Sequence, residues 1–252
     1  MTPPLLEVCG ITKRFGGLHV LRGVNLSVGA GELRCIIGPN GCGKTTLFNI
    51  ITGAFPANAG TVRFRGEDIT GRPPHVISRL GIARKFQVPG IYPTLAVAEN
   101  VEIPLLSRHG TARPWSMLRA EARTAERLHG LLARFKLRAR AVGAAGALAH
   151  GQKQWLEIAM LIASDAQILL LDEPTAGMSA TETSATVELI RQLQQEHGIA
   201  ALVIEHDMNF VRRLACPVVV MLRGAVLFEG GYAEVQAHPE VREAYLGRAA
   251  RG

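Results

Sequence analysis

Residues 38–46 read G-P-N-G-C-G-K-T-T, directly after the short apolar stretch 34–37. This satisfies G-x-x-x-x-G-K-[ST] in full, and it leaves few folds open. The stretch before it reads as a strand. Residues 44–52 read as a helix, with Gly53 as its C-terminal stop. A strand that runs into a glycine loop and then into a helix N-terminus presents inward-facing backbone N–H groups and a favourable dipole to an anion. Gly38, Gly41 and Gly43 permit the dihedrals and the close approach such a loop needs, and Pro39, Asn40 and Cys42 complete it. Lys44 is placed to reach the β- and γ-phosphates of a nucleotide, Thr45 offers its hydroxyl to Mg²⁺, and Thr46 closes the phosphate-binding set. Cys42 sits inside this positive field, which is expected to favour its thiolate. The motif alone does not separate a kinase, a GTPase and a transport ATPase.

A second constellation narrows the chemistry. The uninterrupted apolar run 168–171 ends in Asp172-Glu173, and such runs suit a parallel strand buried on both faces. A carboxylate at the end of that strand, Asp172, is the expected holder of Mg²⁺. Glu173 then falls beside the γ-phosphate, where it would orient or deprotonate the attacking water. His206, in I-E-H-D, follows the next apolar run, 201–204. Parallel strand ends converge on the nucleotide in such sheets, so this histidine is expected to face the γ-phosphate and the water.

The 252 residues carry a net charge of +7, spread along the chain and densest between Arg108 and Arg140, where Glu121 and Glu126 interrupt it. That pattern reads as a solvated helical face rather than a nucleic-acid surface, because the basic residues are not interleaved with aromatics. Cys9, Cys35, Cys42 and Cys216 form no C-x-x-C pair, so a zinc or redox motif is not indicated and a reducing, cytoplasmic setting is expected. Residues 1–8 lack the basic start and apolar run of a secretory leader. No apolar stretch approaches the roughly 18 residues needed to span a bilayer, so a membrane role would come through a partner.

Along the chain, residues 5–8, 20–28 and 61–64 read as strands separated by glycine breaks. From about Asn100 to Ala147 the chain turns Ala-, Arg- and Leu-rich, with helical spacing in Leu118, Ala122, Ala125, Leu128 and Leu132 and with Pro104 and Pro114 as punctuation. This middle part is expected to be a helical subdomain inserted into the α/β core. Ser179-Ala180-Thr181-Glu182 is a capping box for a helix that presents Val187, Ile190 and Leu193 and ends near Gly198. Residues 218–222 and 226–229 read as a hairpin about Arg223-Gly224.

With these motifs in order, the chain resembles the nucleotide-binding domains of ABC transporters over nearly its whole length. The resemblance implies a P-loop α/β core with an N-terminal antiparallel β subdomain and an inserted helical subdomain. It divides a single domain, 5–252, into a core of 5–98 and 165–252 and a helical part of 99–164. It also implies roles that spacing does not supply. Phe15 matches the aromatic that stacks on adenine. Gln87, in R-K-F-Q, matches the glutamine that contacts Mg²⁺ and senses a transmembrane partner. Leu148-Ala149-His150-Gly151-Gln152 matches the family signature, usually L-S-G-G-Q, and Ala176-Gly177-Met178-Ser179 matches the D-loop. His206 matches the switch histidine. In that family ATP lies between the phosphate loop of one subunit and the signature of another in a head-to-tail dimer. The implied enzyme is therefore a Mg²⁺-dependent ATPase in which Lys44, Gln87, Glu173 and His206 are the catalytic set. Ala149, His150, Gly151 and Gln152 would complete the partner's nucleotide site.

Two signature positions depart from the pattern. Ala149 replaces the serine whose hydroxyl donates to the γ-phosphate, a bond worth roughly 1.5–3 kcal/mol. His150 replaces a glycine, and acts either as a phosphate ligand or as a spacer. H-G-Q-K-Q-W-L-E-I together with R-K-F-Q is similar to the urea-type ATP-binding subunits, which are allied to the branched-chain amino-acid importers. The resemblance thus implies an importer for urea or short amides at the cytoplasmic face of the inner membrane. Its partners would be an identical or sister ATP-binding subunit, two permease subunits and a periplasmic binding protein, with no nucleic acid. The alternatives are a branched-chain amino-acid importer, a lipopolysaccharide-export ATPase, and a soluble ABC ATPase acting on nucleic acid or ribosomes. The segment 88–95, V-P-G-I-Y-P-T-L, is apolar for a loop and is expected to receive a short helix of the permease.

Overall fold

A computed structural model describes residues 3–85, 90–106 and 114–246, with the side chains of 114–121 and 244–246 outside that set. Gln87, Val88 and Pro89 therefore lie outside the described residues. The chain opens with three strands, β1 (Leu6–Phe15), β2 (Leu18–Val28) and β3 (Leu33–Ile37), then α1 (Lys44–Ile51). β4 (Ala59–Phe64), β5 (Glu67–Asp68), α2 (Pro74–Leu80) and β6 (Ile82–Lys85) follow. Three helices come next: α3 (Val97–Leu106), α4 (Pro114–Arg134) and α5 (His150–Ala163). The chain then returns to alternation with β7 (Ile168–Asp172), α6 (Ala180–His197), β8 (Ala200–Ile204), α7 (Met208–Leu214), β9 (Val218–Leu222), β10 (Ala225–Gly230), α8 (Tyr232–Ala237) and α9 (Pro239–Leu246).

Two sheets organise these elements. β2, β1, β4 and β5 form an antiparallel sheet, and β10-β9-β3-β8-β7-β6 form a second, whose pairs from β9 to β6 are parallel. The parallel strands are buried on both faces, and their residues divide by parity. Cys35, Ile37, Leu169, Leu171, Ala201, Val203, Val218 and Val220 join one apolar cluster with α3 to α8. Ile36, Ile168, Leu170, Leu202, Ile204, Val219 and Met221 join the other, with α1 and the antiparallel sheet. This two-sided burial is why the strands read as continuous apolar runs instead of alternating ones. Each fully buried aliphatic side chain there contributes about 1.5–3 kcal/mol.

The elements expected in the last third are present. Ser179 caps α6 with Glu182 as its reciprocal partner, and Gly198 ends the helix at φ 61°. Arg223 and Gly224, both at positive φ, turn β9 into β10. The middle helices differ from the expectation in detail. α4 buries Thr124, Leu131 and Leu132, while Ala122 and Ala125 face solvent, so the buried stripe is rotated from the one read off the alanines. Pro104 lies inside α3 near its end rather than between helices. Pro104 is the eighth residue of α3 and has no N–H to give to the Asn100 carbonyl, so the helix lacks one bond there. Among the described residues no helix is long and apolar enough to cross a membrane.

Candidate functional site

Register places the site. Ile36 pairs with Ile204, and Ile204 in turn pairs with Asp172, while Lys85 pairs with Leu171. The C-terminal ends of β3, β8, β7 and β6 therefore stand in one row. The glycine loop, Glu205-His206, Asp172-Glu173 and Arg84-Lys85 all emerge at that edge, the place where open parallel sheets bind ligands.

The loop after β3 is held by close approach. A Cβ at Gly38 would lie 2.3 Å from the Met221 carbonyl oxygen, and one at Gly43 would lie 2.6 Å from Leu21 Cδ2. Gly43 also has φ 104°, in the left-handed region that favours glycine. Lys44 is buried, and its Nζ donates to the carbonyls of Gly38 at 2.7 Å and Pro39 at 3.1 Å. Burial lowers its pKa, and the nearby Cys42, Glu173 and Asp172 oppose that. The ammonium is thus already inside the loop that a phosphate would enter. Cys42 departs from expectation. It is buried, and burial pushes its thiol up by more than Lys44 and the loop N–H groups pull it down. The loop's positive field does not win because Cys42 is packed into the buried apolar cluster that also holds Leu47 and Phe48.

Asp172 is 1% exposed. Burial raises its pKa, with Arg84 as the main opposing influence, Glu173 adding to the rise and the nearby Thr45 hydroxyl holding it down. Arg84 donates to Asp172 Oδ2 at 3.2 Å and to Asn49 Oδ1 at 2.5 Å, and its guanidinium lies over the Phe48 ring. Asp172 Oδ1 is buried with no hydrogen-bond partner among the described residues. A buried carboxylate oxygen in that state, beside a threonine hydroxyl, suits a hard cation that keeps most of its water shell. Among the described residues no cluster of three or more His, Cys, Asp or Glu side chains could hold a metal alone, so the nucleotide's phosphates would have to supply ligands as well.

Glu173 has φ 49°, a left-handed conformation that costs a non-glycine residue about 1–3 kcal/mol. Its N–H donates to the Ile204 carbonyl at 2.9 Å, and its Oε1 lies 2.9 Å from His206 Nε2. The structure thus brings together the two groups proposed from sequence to handle the water. Sequence reasoning missed what supports them. Buried Glu205 accepts from Thr175 N at 3.1 Å, from Thr175 Oγ1 at 2.6 Å and from His206 N at 3.1 Å, tying the Asp172-Glu173 turn to the His206 turn. The only available signal was its place in I-E-H-D. Lys85 is fully buried and sits 3.8 Å from Glu157 of α5, whose Oε1 accepts the Gly90 N–H at 3.2 Å. Phe15 lies at the end of β1, 44% exposed, with its ring edge-on to Phe55 at 5.6 Å and Lys13 Nζ 5.0 Å from its centroid.

The signature segment starts α5. Ala149 is the N-cap at φ −60° and ψ 158°, and its N–H donates to Gln152 Oε1 at 3.2 Å, but its methyl can accept nothing. His150 Nε2 lies 2.9 Å from the Ala176 carbonyl oxygen. Gly151 packs against Glu182, whose Oε1 would lie 2.3 Å from an added Cβ. Within one chain this segment is joined to the turn at 176–179.

Residues 21–176 match the family model described as ABC transporter, and residues 225–251 match that of the branched-chain amino acid ATP-binding cassette transporter. The chain is 39% identical to the high-affinity branched-chain amino acid transport ATP-binding protein BraF of Pseudomonas aeruginosa, covering 99% of this chain and 100% of that protein. It superposes on the ADP conformation of MJ1267, an ATP-binding cassette of an ABC transporter, with TM-score 0.84 at 31% identity, covering 98% of this chain and 100% of that one. It superposes on the dimeric bacterial ABC transporter cassette MJ0796 with TM-score 0.78 at 27% identity, covering 90% of this chain and 98% of that one.

Proposed function

This chain belongs to the ATP-binding subunits of ABC transporters, which hydrolyse ATP, and we propose that it drives import of branched-chain amino acids. The observation that carries the substrate class is the full-length likeness to BraF together with the C-terminal match at 225–251. The expectation of urea or short amides rested on H-G-Q-K-Q-W and R-K-F-Q, and it gives way to that broader likeness. We take the second ATP-binding subunit, identical or sister, to pack head to tail, as the likeness to a dimeric cassette favours. Two permease subunits and a periplasmic binding protein complete the proposed importer, with this chain at the cytoplasmic membrane face.

In this reading Phe15 stacks on adenine and the glycine loop cradles the phosphates with its N–H groups. Lys44 exchanges its loop carbonyls for phosphate oxygens. Thr45 and Asp172, with Gln87, are the residues that would hold Mg²⁺, which offsets charge on the phosphates when bound. Glu173 takes the proton of the attacking water, and His206, 2.9 Å away, fixes that carboxylate and faces the γ-phosphate. The partner's Ala149, His150, Gly151 and Gln152 close the far side.

The test is uptake of labelled leucine and labelled urea in cells lacking the chain, complemented with the natural protein or with Glu173→Gln. Glu173→Gln is expected to lower ATP turnover by roughly 10²–10⁴ and to abolish leucine uptake. Restored urea uptake without leucine uptake would reject the substrate class, and fast hydrolysis by Glu173→Gln would reject Glu173 as the base.

A further inference from the structure

His150 does a job that neither a phosphate ligand nor a spacer describes. Its Nε2 lies 2.9 Å from the Ala176 carbonyl oxygen, which can only accept, so that nitrogen carries the ring proton. Gln154 stands one helical turn on, with its amide 3.3 Å from the same nitrogen and with its Oε1 buried and otherwise without a partner. The amide orientation that suits an N–H turns this oxygen to the ring. Gly177 has φ 74°, in the left-handed region that favours glycine, and a Cβ there would lie 3.1 Å from Nε2, so a side chain would press on the imidazole.

The far end of the contact matters more. Ala176 N–H donates to the Glu173 carbonyl at 3.2 Å, and Met178 N–H to that of Thr175 at 3.0 Å. The turn that accepts from His150 is therefore the one that holds Glu173 in its left-handed conformation. The contact is reinforced along the two helices, since Trp155 Nε1 donates to Thr186 Oγ1 at 2.9 Å.

We propose that His150 is a positioning residue that links the two nucleotide sites of the dimer. Through the Ala176 carbonyl it fastens the segment that closes the partner's site to the turn carrying this chain's own Glu173. The link within the chain stands on the geometry above, and its consequence for two sites rests on the head-to-tail reading. A shift of the segment when the partner's nucleotide is engaged then moves the Glu173 turn of the other site, which is coupling through a continuous, hydrogen-bonded contact.

Two variants test this. His150→Ala removes the ring, and His150→Gln returns an amide N–H at about the reach of Nε2. Hydrogen exchange of the 176–179 amides is measured in the nucleotide-free chain, and the Hill coefficient and KM for ATP are measured in the hydrolysing protein. His150→Ala is expected to speed exchange at the hydrogen-bonded Ala176 and Met178 amides by about three- to tenfold, the worth of one neutral hydrogen bond. It is also expected to bring the Hill coefficient towards one, and His150→Gln is expected to restore both. Unchanged exchange in His150→Ala, with KM raised, would overturn the proposal in favour of a direct phosphate ligand. Faster exchange with unaltered cooperativity would overturn the link between sites, as would failure of His150→Gln to restore either quantity. A natural protein that binds no ATP would instead defeat the transporter reading, and the exchange experiment does not depend on it.

Discussion

Ala149→Ser is the most informative single change in this chain. Ala149 already holds N-cap dihedrals, and its N–H already donates to Gln152 Oε1, so the reciprocal half of a capping box is in place. A serine hydroxyl at that position gains the Gln152 N–H without rearranging the helix start. Residue 149 is exposed, so the hydroxyl loses no solvation that the bond fails to return. The same chain holds the completed form of this device at α6, where Ser179 Oγ accepts the Glu182 N–H at 3.3 Å. A cap of this type contributes about 0.5–2 kcal/mol, typically ~1, and for a chain of this size ~1 kcal/mol moves Tm by roughly 2–4 °C. That gain belongs to the nucleotide-free monomer. In the closed head-to-tail dimer proposed above, the hydroxyl would also donate to the partner's γ-phosphate, adding roughly 1.5–3 kcal/mol, or about ten- to a hundredfold in dimer affinity. Thermal melts without nucleotide read the first quantity. ATP-driven dimerisation in a Glu173→Gln background, followed by sedimentation, reads the second. Ser179→Ala, with a loss of about 1 kcal/mol, calibrates the melts. An unchanged or lower Tm would refute the cap argument, and an unchanged dimer affinity would refute the role given to the signature.

Further expectations follow from the supporting residues. Glu205→Ala leaves two buried Thr175 donors without their acceptor and also frees the part-buried His206 N–H, and is expected to cost about 2 kcal/mol or more in urea denaturation at roughly 1–3 kcal/mol per buried group. Glu205→Gln keeps one acceptor oxygen and should cost less, and equal losses would remove Glu205 as the tie between the two turns. Cys42 has a raised pKa and a buried sulfur, so at pH 7.5 it carries less thiolate than an ordinary cysteine, and its reactivity rises only as pH climbs towards the raised value. Iodoacetamide followed by peptide mapping is expected to label half-buried Cys9 before Cys42 in the native chain, and preferential labelling of Cys42 would contradict the burial argument. Tyr92 is 48% exposed while its backbone is pinned by buried Asn100, at 2.7 Å through its N–H and 3.1 Å through its carbonyl. Tyr92→Asp is expected to leave Tm and basal ATP hydrolysis within about 0.5 kcal/mol of the natural chain while uncoupling uptake, and normal uptake would exclude this loop as a permease contact.

The parts of this molecule legible in the sequence are those where one local requirement dominates. The glycine loop is legible because Gly38 and Gly43 have no room for a Cβ. The buried strands are legible because both faces are apolar, so Ile168 to Leu171 needs no periodicity to be recognised. The α6 cap is legible because Ser179 and Glu182 serve each other three residues apart. The stripe of α4 was misread because alanine satisfies helix propensity on any face. Whether Ala122 or Thr124 turns inward is decided by packing against α3 and α5, which the sequence of α4 does not contain. α2 and β6 had no strong signal, since they are short and β6 ends in two cations.

Those two cations show where local reading stops. Arg84 and Lys85 sit on a strand buried throughout, and a rule that keeps charge at the surface would have ended the strand before them. They are tolerated because Asp172, Glu157 and Glu205 converge on the same strand ends from β7, α5 and β8. Burial lowers both cations and raises Asp172, and buried ion pairs of this kind often contribute little net stability because desolvation offsets their attraction. What the cluster contributes is place. Arg84 fixes one oxygen of Asp172 and leaves the other facing the site, Glu205 aligns two turns, and Glu157 ties β6 and Gly90 to the helix that begins at His150. The full set of charges finds its partners only after four separate elements, β6, β7, α5 and β8, have assembled. The chemistry-bearing residues could therefore be named from motifs, whereas the residues that aim them could be named only from the fold.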